Sequence, residues 1–282
     1  MANDKQRAYW SEVAAPKWLG FGGAMEARLA PVSDVVIAAA ALQPGERVLD
    51  IGCGVGFTSL EAERIVGPHG HVLGVDIAAP MVEAARDLAA RYGAANLEFT
   101  VGDAQTEVFS PLADALISRF GVMFFEDPVA AFTNLRRSAA PGARLVAAAW
   151  APLEDNLHWA VPLHLVEALI GPGAVRTPRA PGPLAFDDPA YVLSVLEQAG
   201  WENAKVQAQT VHLQGVSLDA EARVACMMGP AGALLDEKQA SPAQRETAYE
   251  TIRAALPGYA AAAADGSVRL AASIHLITAS VP

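Results

Sequence analysis

The sequence predicts a doubly wound α/β fold in which a mostly parallel, seven-stranded sheet lies between layers of helix. Three observations carry this. Short apolar runs alternate with helical stretches between residues 47 and 150, the runs are apolar throughout as strands covered on both faces require, and Gly- and Pro-bearing turns separate the two kinds of segment.

Tyr9, Trp10, Trp18, Leu19 and Phe21 fall at uneven helical spacing ahead of the apolar stretch 35–42, so helices precede the first strand. The turn Gln43, Pro44, Gly45, Glu46 introduces a strand at 47–51. A glycine turn, a helix at 58–66, a turn through Gly67, Pro68 and Gly70, and a strand at 71–77 complete a βαβ unit. A helix at 80–92, strands near 97–101 and 113–118, a helix near 128–139 and a strand at 144–150 continue the alternation, with Pro141, Gly142 and Ala143 read as a turn. Past Trp150 the regularity weakens, and residues 171–183 are crowded with Gly and Pro as in an exposed connection. A helix at 189–199 ends at Gly200, and 205–213 and 269–279 are strand-like. Residues 219–264, rich in Ala, Met and charge, read as a helical insertion between those last two strands. The expected organisation is an N-terminal helical lid and substrate segment at 1–43, a nucleotide-binding core at 44–215, an insertion at 216–266 acting as a second lid, and a last core strand at 267–282.

Composition narrows the function. With 52% hydrophobic and 18% charged residues the chain has ample material for a core. A net charge of −11 and scattered Lys and Arg argue against a phosphate-backbone-binding face, so nucleic acid is not an expected partner. The first residues lack a signal peptide's apolar segment and no uncharged run reaches the about 20 residues of a membrane span. A soluble, cytoplasmic protein with no membrane partner is expected. Cys53 and Cys226 occur in no ligand spacing, so no metal is expected. The oligomeric state stays open, a homodimer included.

The motif with most chemical content is Val48, Leu49, Asp50, Ile51, Gly52, Cys53, Gly54, Val55, Gly56, a strand entering an acidic-x-Gly-x-Gly-x-Gly turn. Such a turn lets backbone approach a ligand closely, although many nucleotide folds share it. Asp76 follows twenty residues beyond Gly56, ending the second strand, where a carboxylate can accept from both hydroxyls of a ribose. The third strand leads into Gly102, Asp103 and Ala104, where the acid can accept from an adenine amino group. Helix capping explains each Asp singly, whereas an adenosine-containing cofactor explains all three together. A dinucleotide-dependent oxidoreductase is the nearest competing enzyme, but its GxGxxG spacing would need Gly where Phe57 stands.

Taken together, residues 50–56, Asp76, 102–104, the stretch 118–125 and Pro141 to Leu145 resemble the successive motifs of class I, Rossmann-like S-adenosylmethionine (SAM)-dependent methyltransferases, most closely the ubiquinone/menaquinone-biosynthesis type and its small-molecule relatives. Ala143 departs from that pattern, which often has a second Gly there. The resemblance implies a SAM cofactor, leaving as S-adenosylhomocysteine. It implies that Gly52, Gly54 and Gly56 line the methionine and sugar, that Asp50 orients the amino group, that Asp76 holds the ribose, and that Gly102, Asp103 and Ala104 border the adenine. Ile77 and Met81 would pack on the adenine ring, and Ser118 and Arg119 would border the cofactor after the fourth strand.

Methyl transfer from a sulfonium needs an in-line nucleophile and exclusion of water, and a hydroxyl acceptor gains from a general base. Of six histidines, His158 follows the fifth strand on the ligand side of the sheet and is the candidate base, packing beside Trp159 being the competing reading; His164 and His275 are weaker, His69 and His71 lie at the wrong end of the sheet, and His212 sits in a strand with no special context. Tyr9, Trp10, Trp18, Phe21, Trp159 and Met227, with Met228 and Leu234, are candidates to line an apolar acceptor site, which points to an apolar or aromatic small molecule. The alternative from another class is a non-catalytic SAM-binding or partner-binding protein.

Overall fold

The computed structural model describes residues 3–282; Met1 and Ala2, the start of the expected N-terminal lid, lie outside the described residues. Five parallel strands form its centre: β1 (Arg47–Ile51), β2 (His71–Asp76), β3 (Leu97–Val101), β4 (Ala113–Arg119) and β5 (Ala139–Trp150). Strands β6 (Glu202–Gly215) and β8 (Val268–Ser280) extend the sheet antiparallel, and a three-residue β7 (Ala260–Ala262) pairs with β8. The order is β3-β2-β1-β4-β5-β8-β6. The central strands β1, β4 and the second half of β5 are buried along most of their length because helices cover both faces: α4 (Phe57–Val66), α5 (Ala79–Tyr92) and α6 (Pro128–Arg137) supply the crossovers, and α8 (Pro189–Gln198) leads into β6. Chain order reverses at β1, whose neighbours are β2 on one side and β4 on the other. That switch point opens a cleft beyond the strands' carboxyl ends.

Four features differ from the sequence expectation, each for a local reason. Residues 4–40 are helical as expected apart from the turn at Gly22, in α1 (Asp4–Ala8), α2 (Ala15–Phe21) and α3 (Gly23–Ala40), but residues Tyr9–Ala14, which carry Tyr9 and Trp10, wind as a π-helix, outside the ordinary helical period. Pro141 and Gly142 do not turn the chain before β5. They lie inside it, at a register shift that places Ala139 opposite Ala113 and Arg144 opposite Ala115, with Gly142 at φ 75°. An additional helix, α7 (Leu157–Ile170), follows β5; its mostly apolar surface gives no amphipathic period to read, because α10 (Gly229–Glu237) and α11 (Pro242–Ala255) pack against it. The insertion holds α9 (Leu218–Met227), α10 and α11 as expected, and also β7, too short to register as a pattern.

That short strand has a positional consequence. β6 occupies one edge of β8 along its length, while β5 pairs with Ile274 to Ser280 on the other edge and β7 with Val268 to Leu270. β7 therefore continues the line of β5 beyond Trp150. Helix α3 packs on β4, β5 and β6, so its inner face belongs to the core, whereas residues before it reach over the strand ends. No helix among the described residues is long and apolar enough to cross a membrane.

Under the sheet, Phe132 of α6 is fully buried between Phe125 and Phe186, and its carbonyl accepts from the Trp201 indole at 2.9 Å. Phe132→Ala is expected to lower unfolding free energy in urea by about 3–5 kcal/mol. A loss below 1 kcal/mol would show that this contact does not anchor the outer strands.

Candidate functional site

All five parallel strands deliver their carboxyl ends to one cavity of about 620 Å³. Its floor is bare backbone. A Cβ on Gly52 would lie 2.6 Å from the Gly121 Cα, and one on Gly121 would lie 2.4 Å from the Ile51 carbonyl oxygen, so the exits of β1 and β4 touch only because neither has a side chain. Ser118 locks the junction: its Oγ donates to the Ile51 carbonyl at 2.7 Å and accepts from the Gly121 N–H at 3.1 Å. Ser118 is consequently buried behind the cavity wall rather than in it, contrary to expectation. Gly56 is likewise not in the wall. It caps α4 at φ 85°, and any Cβ there would strike the Phe99 ring at 2.5 Å, so its glycine serves helix packing.

The three acids do converge. Asp50 is buried, with Oδ2 accepting from Ser59 Oγ at 2.6 Å and Oδ1 left without a donor. Burial raises its carboxyl to about 6, against opposing help from Ser59 and the Arg119 charge. Asp76 accepts from the Gly54 N–H and the Ala78 N–H, both at 2.9 Å, which ties the glycine turn to the end of β2; burial pushes its carboxyl up as well. Asp76 lines the cavity, and a carboxylate oxygen can accept more than one hydrogen bond. Asp103 Oδ1 accepts from the Gln105 N–H and from the Asn3 amide, both at 2.9 Å. Ile77, Met81, Gly102 and Ala104 line the wall between these acids. Arg119 lines it too, held by Glu26 at 2.6 Å and by Ser33 Oγ at 3.1 Å on α3.

The remaining wall is aromatic. Tyr9, Trp10 and Trp18 line it as expected, Trp10 standing edge-on to Phe124 at 4.9 Å. Trp150 stacks on Phe120 at 4.2 Å and 11°, with Phe120 in a left-handed conformation (φ 67°), and Trp159 lies 4.6 Å from Trp150. Met227 and Met228 contribute from the insertion. Phe21 and Leu234 are not in the wall: Phe21 ends α2 at the Gly22 turn and packs on the core, and Leu234 is buried within the helices of the insertion. His158 does reach the cavity, buried beside Trp150 and Trp159, with neither ring nitrogen in a well-formed hydrogen bond. Burial first and the Arg28 charge second hold it neutral, well below the usual histidine range, against a weak opposing pull from the Ala271 backbone. His275 is structural, its Nδ1 lying 3.0 Å from the Phe186 carbonyl.

Comparison with known proteins bears on this geometry. A family model described as a methyltransferase domain matches residues 42–168. The arsenite methyltransferase of Halobacterium salinarum is 37% identical over 107 residues, 38% of this chain and 27% of that protein. Nocamycin O-methyltransferase of Saccharothrix syringae is 30% identical over 187 residues, 63% of this chain and 67% of that protein. The chain belongs to the class I SAM-dependent methyltransferases. It spans 27% of the first of these two relatives, and so far less than its whole length. The fold is shared beyond the matched sequence: the YcgJ protein of Bacillus subtilis superposes with a TM-score of 0.55 at 19% identity, covering 88% of this chain and 97% of that one.

Several cavity residues of this methyltransferase were not legible in its sequence. Asn3 bonds Asp103 and Gln105 from a hundred residues away, and the pair of Arg28 with Glu221 joins α3 to α9. No local spacing encodes either. Tyr259 sits in a turn before β7, inside a stretch whose composition reads as helix. Phe120 and Gly121 lay inside a recognised motif, and the glycine was the available signal.

Asp50 makes the site's cost measurable. Its folded carboxyl binds a proton more tightly than the unfolded chain does, so the neutral form stabilises the fold at low pH and that contribution is lost as pH rises through about 6. Asp50→Asn, which keeps an acceptor for Ser59, is expected to gain stability over the parent protein progressively between about pH 4 and about pH 7 in urea titrations. A difference that stays constant over that window would contradict the assignment.

Proposed function

We propose that this protein transfers a methyl group from SAM to a hydroxyl of a small, planar, largely apolar acceptor. The observation that carries the reading is continuity: one cavity joins the glycine floor and its three acids to a box of aromatic side chains containing an unpartnered neutral imidazole. SAM, when bound, supplies a methyl group already activated on a sulfonium. The first half of the cavity suits it by charge and shape. Asp50 Oδ1, buried without a donor, matches an ammonium; Asp76 retains acceptor capacity for a ribose diol; Asp103 offers an acceptor edge to an adenine; and Gly52, Gly54 and Gly121 leave room for the chain between them.

In the second half, Trp150, Trp159 and Phe120 supply flat apolar surface for a ring and keep water from the reacting centre. His158 stands at that surface, and its neutral nitrogen can accept the acceptor's hydroxyl proton as the new bond to carbon forms. The name of nocamycin O-methyltransferase supports an oxygen acceptor. Arsenite, named for the other relative, is less well served. Thiolates are the ligands of choice for so soft a centre, burial raises both the Cys53 and Cys226 thiols, and no cluster of three metal-type ligands exists among the described residues.

The test is a screen of hydroxylated aromatic compounds with isotopically labelled SAM, reading label transfer by mass spectrometry. Transfer to at least one phenol or enol is expected, whereas S-adenosylhomocysteine binding without transfer to any compound would favour the non-catalytic binding protein. On an accepted compound, His158→Ala is expected to slow transfer about 10²- to 10⁴-fold with cofactor affinity intact. Transfer at the parent rate would remove His158 from the chemistry.

A further inference from the structure

Beyond His158 the cavity wall carries a polar group that methyl transfer itself does not use. Tyr259 lines the cavity with its Oη fully buried and without a partner. Its position is fixed at both ends. The Tyr259 N–H donates to the Leu256 carbonyl at 3.0 Å, and the next residue begins β7, where Ala260 pairs with Leu270 of β8. Since β7 prolongs the line of β5, Tyr259, in the turn that enters β7, stands in the region just past Trp150.

The neighbouring charges determine what that hydroxyl can recognise. Arg28 Nε donates to both Glu221 oxygens, at 3.1 and 3.0 Å, and Nη2 lies 3.0 Å from Oε2, both side chains being buried in the same wall. The guanidinium charge is thus paired with a carboxylate, so this part of the wall offers an anionic acceptor no net positive charge. Burial, and then the Glu221 charge, push the Tyr259 phenol up to about 12, so that it remains a hydrogen-bond donor at neutral pH. The adjoining wall, from Leu256, Leu270 and Met228, is apolar.

We propose that Tyr259 sets acceptor specificity by donating to a neutral carbonyl oxygen on the acceptor's ring system, so that the substrate class is a hydroxyaryl ketone whose hydroxyl faces His158. The proposal rests on the methyl-transfer reading and adds a second polar anchor to it. Glu221, already paired with Arg28, leaves no net positive charge for an acid there, and the Tyr259 hydroxyl can donate to an acceptor oxygen. Two polar anchors on a planar apolar ring fix its rotation in the aromatic box, which a hydroxyl alone does not.

The test compares two probes that differ by one group: a hydroxytetralone, and the hydroxytetralin that lacks its ketone. Binding is followed by quenching of tryptophan fluorescence at saturating S-adenosylhomocysteine, in the parent protein and in Tyr259→Phe. The parent is expected to bind the ketone about fivefold to tenfold more tightly than the hydroxytetralin. Tyr259→Phe is expected to bring the two affinities together while leaving calorimetric S-adenosylhomocysteine affinity unchanged. A parent ratio of one, binding of neither ring, or a preference that survives in Tyr259→Phe overturns the proposal. The parent ratio decides the matter even if the variant does not fold. Loss of S-adenosylhomocysteine binding in the parent would instead remove the methyltransferase reading, so the two failures are distinguishable.

Discussion

Where β1 and β4 leave the sheet, their backbones meet with nothing between them, and the architecture of the site follows from that contact. Gly52 and Gly121 allow the approach and Ser118 fixes it with one donated and one accepted hydrogen bond. Because chain order reverses between these two strands, the following segments diverge to opposite sides and leave a cleft that side chains do not fill. Asp50 then occupies the penultimate position of β1 under that floor, buried at a cost in stability, while Asp76 reaches across to hold the glycine turn in place. Glycine at these positions is a requirement of distance, since a methyl group at either would collide with backbone that has no room to move.

Around this floor the protein builds two unlike walls. The one over the acids is supplied by the parallel core and by the N-terminal residues, with Asn3 bonded to Asp103, Gln105 and the backbone of Glu126. The other comes from β5, α7 and the insertion. Helix α3 serves both, since Glu26 pairs with Arg119 at the end of β4 and Arg28 pairs with Glu221 in α9. Both ion pairs are buried, where breaking one partner leaves an uncompensated charge and is far more costly than the pair is stabilising. Two such pairs less than a turn apart on one helix hold the cofactor wall and the acceptor wall in fixed relation. Lys17, bonded to Asp236 at 2.6 Å, adds a third and more exposed tie between the N-terminal helices and the insertion.

What the sequence disclosed and withheld follows from the range of the interactions. Strands β1 to β5 and their crossover helices were legible because each carries its own apolar period and its own turn residues, and the acids were legible because each stands at or just past the end of a strand. Gly56 and Ser118 share the motif yet pack behind the wall, a distinction that depends on Phe99 and on the Ile51 carbonyl and so on the folded sheet. Helix α7 was hidden by its mostly apolar composition, and β7 by its three residues. Asn3, Arg28, Glu221 and Tyr259 meet the cavity from elements far apart in the chain, and their chemistry exists only once those elements have packed.

The central claim is that the carboxyl edge of the sheet forms a site for an adenosyl amino acid rather than for a dinucleotide. Isothermal titration of the purified chain with S-adenosylhomocysteine and, separately, with a nicotinamide dinucleotide tests it most directly. Saturable heat at one equivalent of S-adenosylhomocysteine, with none from the dinucleotide, is the result the structure predicts; the reverse pattern would contradict it.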